Sequence, residues 1–342
     1  VEGAYNCDGR GLSIWDALSD GYVKHGDNGN TACDEYHRFR EDIALMKKLN
    51  LQAYRFSVSW PRIIPKQGVV NEKGIRYYQN LVDEVLAQGM IPMVTLYHWD
   101  LPMWMHGKGG WYADEIADQF ASYVEVVVDA LSDRVKYWMT MNEAATFIGA
   151  GYLEGVHAPF ETVSRDAEDY EEKVSVLTKH VLLAHGRAVQ IIRKKAKLQP
   201  VIGIAMDGKF FLPDSEEEKD IEYARQETYT EDVDCHRINW WLDPICKGTV
   251  NPVLQKKISA EEMEVIHQPI DFIGYNCYKA NNFDDDDGRN PSVKPGMPRT
   301  AMGWNITPDA LYWSVRFLHD RYGLPVLITE NGMANIDFVM SD

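Results

Sequence analysis

"PVLITENG", residues 325–332, is an apolar run that ends in a carboxylate, Glu330, and is stopped at once by Asn331-Gly332. It shows no polar alternation, the pattern of a strand covered on both faces rather than wetted on one. Five runs of the same character precede it: "QAYRFSVSW" (52–60), "MIPMVTLYHWD" (90–100), "VKYWMTMNE" (135–143), "VIGIAMDG" (201–208) and "DFIGYNCY" (271–278). Amphipathic helical patterns lie between them. Phe39, Ile43 and Met46 share one helix face, and Ile116, Phe120, Val124, Val127 and Leu131 share another. Leu311, Val315, Leu318 and Tyr322 form a third, with Thr307-Pro308 expected as cap and first position. Such alternation builds a parallel sheet, and right-handed crossovers let it curl into a barrel. No glycine-rich phosphate loop follows any strand, which speaks against an open doubly wound sheet. The expected fold is an α/β (β/α)8 TIM barrel, with residues 1–342 forming one catalytic domain.

Composition narrows the partners. The 342 residues are 45% hydrophobic and 25% charged, as an ordinary globular chain is. Acidic residues number 52 against 35 basic ones, a formal charge of −17, and the repulsion argues against nucleic acid or an anionic membrane as partner. The basic run "RKKAK" (193–197) reads as the cationic end of a helix, and the acidic "FDDDDGR" (283–289) as a solvated loop. Five scattered cysteines without a CxxC pair indicate reduced thiols rather than a zinc ribbon or a disulfide framework. There is no basic-then-apolar leader and no apolar stretch approaching 18 residues, so a cytoplasmic protein is expected. Secretion stays open, and would make the sequon Asn305-Ile306-Thr307 relevant.

In a barrel of this kind the C-terminal ends of the strands carry the chemistry. The polar residues there are Arg55 and Trp60, His98 with Trp99 and Asp100, Asn142 with Glu143, Asp207, Asn276 with Tyr278, and Glu330 with Asn331. Two glutamates on different strands would point into one pocket. Paired carboxylates cleave glycosidic bonds, one protonating the departing oxygen while the other, ionised, supports the oxocarbenium-like centre. Different surroundings must then push their pKa values apart. Taken singly, either glutamate is equally well explained by an ion pair with arginine or a helix cap. His98 reads equally as a satisfied core histidine, Arg55 as half of a structural ion pair, and Trp304 and Tyr278 as packing.

The strings "TMNEA", "ITENG", "YRFSVSWPRI", "TLYHWDLP", "DGRGLSIWD" and "GGW" together closely resemble the β-glucosidase group of retaining glycoside hydrolases, family 1. The resemblance runs over essentially the whole chain, in the family's order. It implies Glu143 as general acid/base and Glu330 as nucleophile, forming a covalent glycosyl-enzyme. It implies Arg55 and Tyr278 as the groups that hold Glu330 ionised. It further implies Asn142 at the sugar 2-hydroxyl, His98 at a hydroxyl further round the ring, and Trp304 as an aromatic wall for the leaving group. The substrate would be a small β-glucoside or oligosaccharide, and no cofactor or metal is called for.

Three departures accompany the resemblance. Ala144 stands where the family places proline after the acid/base, which is expected to loosen Glu143 slightly. Measured against the family, the chain lacks most of strand 1 with a sugar-binding glutamine, and all of strand 8 with a tryptophan-rich loop. Those two strands are neighbours, so a contiguous wedge would be supplied by further chain, a complementing C-terminal segment or a homo-oligomer partner. A 6-phospho-β-glycosidase is the near alternative, and an inactive or sugar-binding barrel fragment the more distant one.

Overall fold

The computed structural model of the chain describes residues 2–280 and 298–335, so the acidic run 283–289 lies outside the described residues. Six strands form one parallel sheet in chain order: β1 (Ala53–Ser57), β2 (Ile91–Thr95), β3 (Tyr137–Asn142), β4 (Val201–Met206), β5 (Phe272–Asn276) and β6 (Val326–Glu330). Every apolar run read from the sequence supplies one strand, and each strand stops before its run does. His98, Trp99 and Asp100 therefore lie in the loop after β2, Asp207 just past β4 and Tyr278 just past β5. Trp60, grouped with the strand-end residues above, instead opens the short helix Trp60–Ile63 and is wholly buried.

The sheet is curled, as the barrel reading expected. Arg55 on β1 reaches Glu330 on β6 at 2.8 Å, across 275 residues of sequence and the whole width of the sheet. A flat sheet holds its first and sixth strands far beyond the reach of a side chain. Inside the curve, Met139, Ala205 and Phe272 form a small apolar layer of their own, with Met93 and Val201 packed against it. Gly203 makes room for it, since a Cβ there would lie 2.6 Å from the Phe272 ring. Outside the curve, the main core lies between sheet and helices. Helix Ile116–Leu131 buries Ile116, Phe120, Val124, Val127 and Leu131, the face its sequence period named, each aliphatic or aromatic side chain contributing roughly 1.5–3 kcal/mol. Helix Tyr170–Lys195 packs beside it and ends in Arg193, Lys194 and Lys195, as the basic run implied.

The helix Ala310–Tyr322 departs from expectation. It buries Ala310, Trp313, Ser314, Phe317 and Leu318, while Leu311 is exposed. Its sequence has large apolar residues on more than one side, so period alone could not choose the face. Its N-cap is Asp309, and the Thr307 hydroxyl accepts a bond from the Ala280 amide instead.

Two irregularities position the site. Along β3 and β4, Met139 pairs with Gly203 and Asn142 with Ala205, so β3 carries one extra residue just before Asn142-Glu143. Along β5 and β6, Tyr275 pairs with Ile328 and Asn276 with Glu330, so β6 carries one extra residue just before Glu330. A bulge re-aims the side chains that follow it. Both strands that bear a glutamate have one immediately before it.

Candidate active site

Glu143 directly follows β3 and has φ 50° and ψ 66°, a left-handed conformation that a non-glycine residue rarely adopts. Its amide donates to the Ala205 carbonyl at 2.8 Å, and its carbonyl accepts from Thr146 and Phe147 at 3.1 and 3.0 Å. These bonds fix the backbone on both sides, so the loosening expected from Ala144 does not show in its hydrogen bonding. Trp99, also at positive φ, donates its indole N–H to the Asn142 carbonyl at 2.9 Å.

Asn142 and Asn276 join the two glutamates. The Asn142 Oδ1 accepts from Arg55 Nη2 at 2.6 Å and from Asn276 Nδ2 at 3.1 Å. Asn276 Nδ2 also donates to Glu143 Oε1 at 2.6 Å, while its Oδ1 accepts from the Thr329 hydroxyl at 2.5 Å. On the other side, Glu330 Oε1 accepts from Arg55 Nη1 at 2.8 Å and Oε2 from the Tyr278 hydroxyl at 2.6 Å. Thr95 steadies Arg55 by accepting from its Nε at 3.1 Å. With Oδ1 saturated, the Asn142 amide has only donors left, and one Nδ2 hydrogen goes to His98 Nε2 at 3.2 Å.

The two carboxylates sit in opposite fields. Burial drives Glu143 up to about 8, and the charges of Asp207 and Glu330 push the same way, against the bond from Asn276. Burial also works against the charge on Glu330, but the bonds from Tyr278 and Arg55 outweigh it and hold that carboxyl below its ordinary value. At neutral pH one is a protonated acid and the other a carboxylate. His98 is held down to about 4 by burial and then by Arg55, so its ring is neutral. As Nε2 accepts from Asn142, the ring proton lies on Nδ1.

Glu143, Glu330, Asn276, Tyr278 and Trp304 line one cavity of about 660 Å³, together with Asp207, His157 and His236. Arg55, His98, Thr95 and Asp100 line a second of about 490 Å³, and Trp99 belongs to both. Trp304 stands with its ring centroid 6.0 Å from that of Tyr278. Every site residue named from the sequence thus meets at one rim. Missed as participants were Asn276 and Asp207, named only as strand-end polars, and Thr95, Thr146 and Thr329. The shared position of Asn276 and Asn142, each the last residue of its strand, was the available signal; isolated threonines offer none.

Asp234, Cys235 and His236 place three potential metal donors within 4.8 Å of one another. Asp234 is already paired with Lys209 at 2.8 Å, His236 with Glu154 at 2.8 Å, and burial pushes the Cys235 thiol far up. A neutral thiol between two satisfied groups is a poor metal ligand.

The profile of Glycosyl hydrolase family 1 matches residues 1–341. Beta-glucosidase A of Thermotoga maritima is 41% identical over 100% of this chain and 77% of its own length. Beta-glucosidase A of Acetivibrio thermocellus is 38% identical over 100% of this chain and 78% of its own. Among solved structures, the family 1 β-glucosidase of Thermotoga maritima superposes with TM-score 0.85 at 38% identity, over 99% of this chain and 76% of that one. The Thermotoga maritima β-glucosidase in complex with deoxynojirimycin gives TM-score 0.84 at 39% identity, over 99% and 77%. Among the described residues no helix is long and apolar enough to cross a membrane.

Proposed function

The chain belongs to glycosyl hydrolase family 1, and from that membership we infer a retaining β-glucosidase that releases terminal β-D-glucosyl residues by double displacement. The observation that carries the residue roles is the opposed setting of two carboxyls at one rim, Glu143 raised and Glu330 lowered. In the first step Glu330 attacks the anomeric carbon as the bond to the leaving oxygen breaks, and that oxygen takes the proton of Glu143. In the second, water gives a proton to ionised Glu143 while its oxygen displaces Glu330 from the anomeric carbon. Substrate and product keep the same anomeric configuration.

The remaining groups orient the sugar. Asn142 offers its second Nδ2 hydrogen to the 2-hydroxyl, an interaction that strengthens in the transition state. Neutral His98 offers Nδ1–H to a hydroxyl further round the ring. Trp304 packs against the leaving group, half-buried on the same cavity wall as Glu143. The relatives are β-glucosidases and both carboxyls are in place, so neither the 6-phospho-β-glycosidase nor the inactive-barrel alternative is favoured. The same reading takes residues 1–342 as one barrel domain working in the cytoplasm. A complementing segment or second copy would add at the outer edges of β1 and β6, which pair with no further strand among the described residues.

Release of a chromogenic phenol from an aryl β-D-glucoside, with Glu330→Gln as control, tests the activity. Release that disappears in the control supports the reading. Equal release from both proteins removes Glu330 as nucleophile.

A further inference from the structure

Asp207 is a half-buried carboxylate that the double displacement does not use. It follows β4 directly and lines the same cavity as Glu143. Its Oδ2 accepts from the Thr146 hydroxyl at 2.6 Å, while its Oδ1 is shielded from solvent and has no hydrogen-bond partner. Thr146 stands three residues after Glu143, on the short helix Ala144–Ile148. A threonine hydroxyl has a single proton. Given to Asp207, it favours the ionised form of that carboxyl.

We propose that Asp207 is a positioning residue for the reaction's acid: held ionised by the Thr146 hydroxyl, it keeps the proton on Glu143 by its own charge. The inference rests on Glu143 being the acid/base. Burial raises both carboxyls, so the pair holds one proton rather than none. The charged surroundings decide which carboxyl has it. Asp207 has the Thr146 proton and faces His236, whose partner is Glu154. Glu143 faces the negative Glu330, itself held by Arg55 and Tyr278, and receives one amide bond from Asn276. Lys209, tied to Asp234, and Lys279 line the same cavity. Ionised Asp207 beside protonated Glu143 is thus the favoured arrangement.

Asp207 neither gains nor loses a proton in the cycle. When Glu143 has protonated the leaving oxygen, two negative carboxylates stand side by side, and that repulsion is relieved as Glu143 takes a proton from the attacking water. One charge therefore serves both half-reactions, sharpening the acid in the first and the base in the second.

The test is the pH dependence of kcat/KM on an aryl β-D-glucoside with a poor leaving group, where the basic limb reports loss of the Glu143 proton. Asp207→Asn removes the charge, so the limb is expected to move to lower pH by about one unit or more. Thr146→Ser keeps the hydroxyl and the wild-type limb. Thermal unfolding identifies the variants that fold. A limb that stays in place in a folded Asp207→Asn protein overturns the proposal. Glu143→Gln separates the two layers of inference. If that variant retains the basic limb, Glu143 is not the acid and the underlying reading falls. If it loses the limb while Asp207→Asn leaves it unmoved, only the role of Asp207 falls.

Discussion

The mouths of β3 and β6 present the same side chain in the same place with opposite results. β6 ends in Glu330, Glu143 directly follows β3, and a one-residue bulge precedes each glutamate. At β3 the strand is covered on both sides, and Glu143 meets a second carboxyl and a neutral amide. At β6 the strand is half-exposed, and Glu330 meets a guanidinium and a phenol across the mouth. Neighbours, more than residue type, decide whether a carboxyl serves as acid or as nucleophile.

The contrast is broken most severely at Glu330. Glu330→Gln keeps the bonds' approximate shape but removes the nucleophile, and kcat on any β-glucoside is expected to fall by about 10⁴-fold or more. Equal losses are not expected at β3. Glu143→Gln should cost about 10²–10⁴-fold with a poor leaving group, where a proton is needed, and far less in glycosylation by an activated aryl glucoside. Comparing the first turnover on the two substrates separates the roles; a uniform loss would contradict them.

Next in size is removal of one donor from Glu330. Tyr278→Phe deletes the bond to Oε2, so the carboxyl's pKa rises toward its ordinary value. Glu330 acts ionised, so the acidic limb of the pH–rate profile must move to higher pH, with about a ten- to hundred-fold loss of kcat/KM. An unmoved acidic limb would mean that Tyr278 is only packing.

The smallest expected effect is on stability. Burial holds the folded-state Glu143 near 8, above the ordinary glutamate value of 4.5, so the native state binds the extra proton between those values. Stability from that proton is present at low pH and declines as pH rises through the window, up to the folded pKa. Glu143→Gln has no proton to lose, so its Tm should exceed that of the wild type more at pH 8 than at pH 5, by a few degrees. Calorimetry at the two pH values checks this, and a constant difference would break the comparison.

Much of this was written in the chain. Six runs without polar alternation named six strands, and the face of helix Ile116–Leu131 followed from its period, because burial on one side selects apolar residues at helical spacing. The glutamates, Arg55, His98, Asn142 and Tyr278 could be named because strand ends in a barrel face one rim, and Trp304 only through the family resemblance. Helix Ala310–Tyr322 was misread in part, since Leu311 fits a helical stripe yet is exposed, while Trp313 and Phe317 are buried. Which polar residue touches which was also hidden. Asn276 joins Asn142 and Glu143 from 134 and 133 residues away, and only curvature brings Arg55 to Glu330.

By itself, then, the sequence determined the strand–helix alternation, the family and the identity of the two carboxyls, because these depend on local pattern and residue type. The tertiary structure alone decided the extra residue before each glutamate, the network through Asn276 and the pairing of Asp207 with Thr146. Those depend on distances and burial between segments far apart in the chain, and electrostatic energies follow distance and burial rather than sequence order.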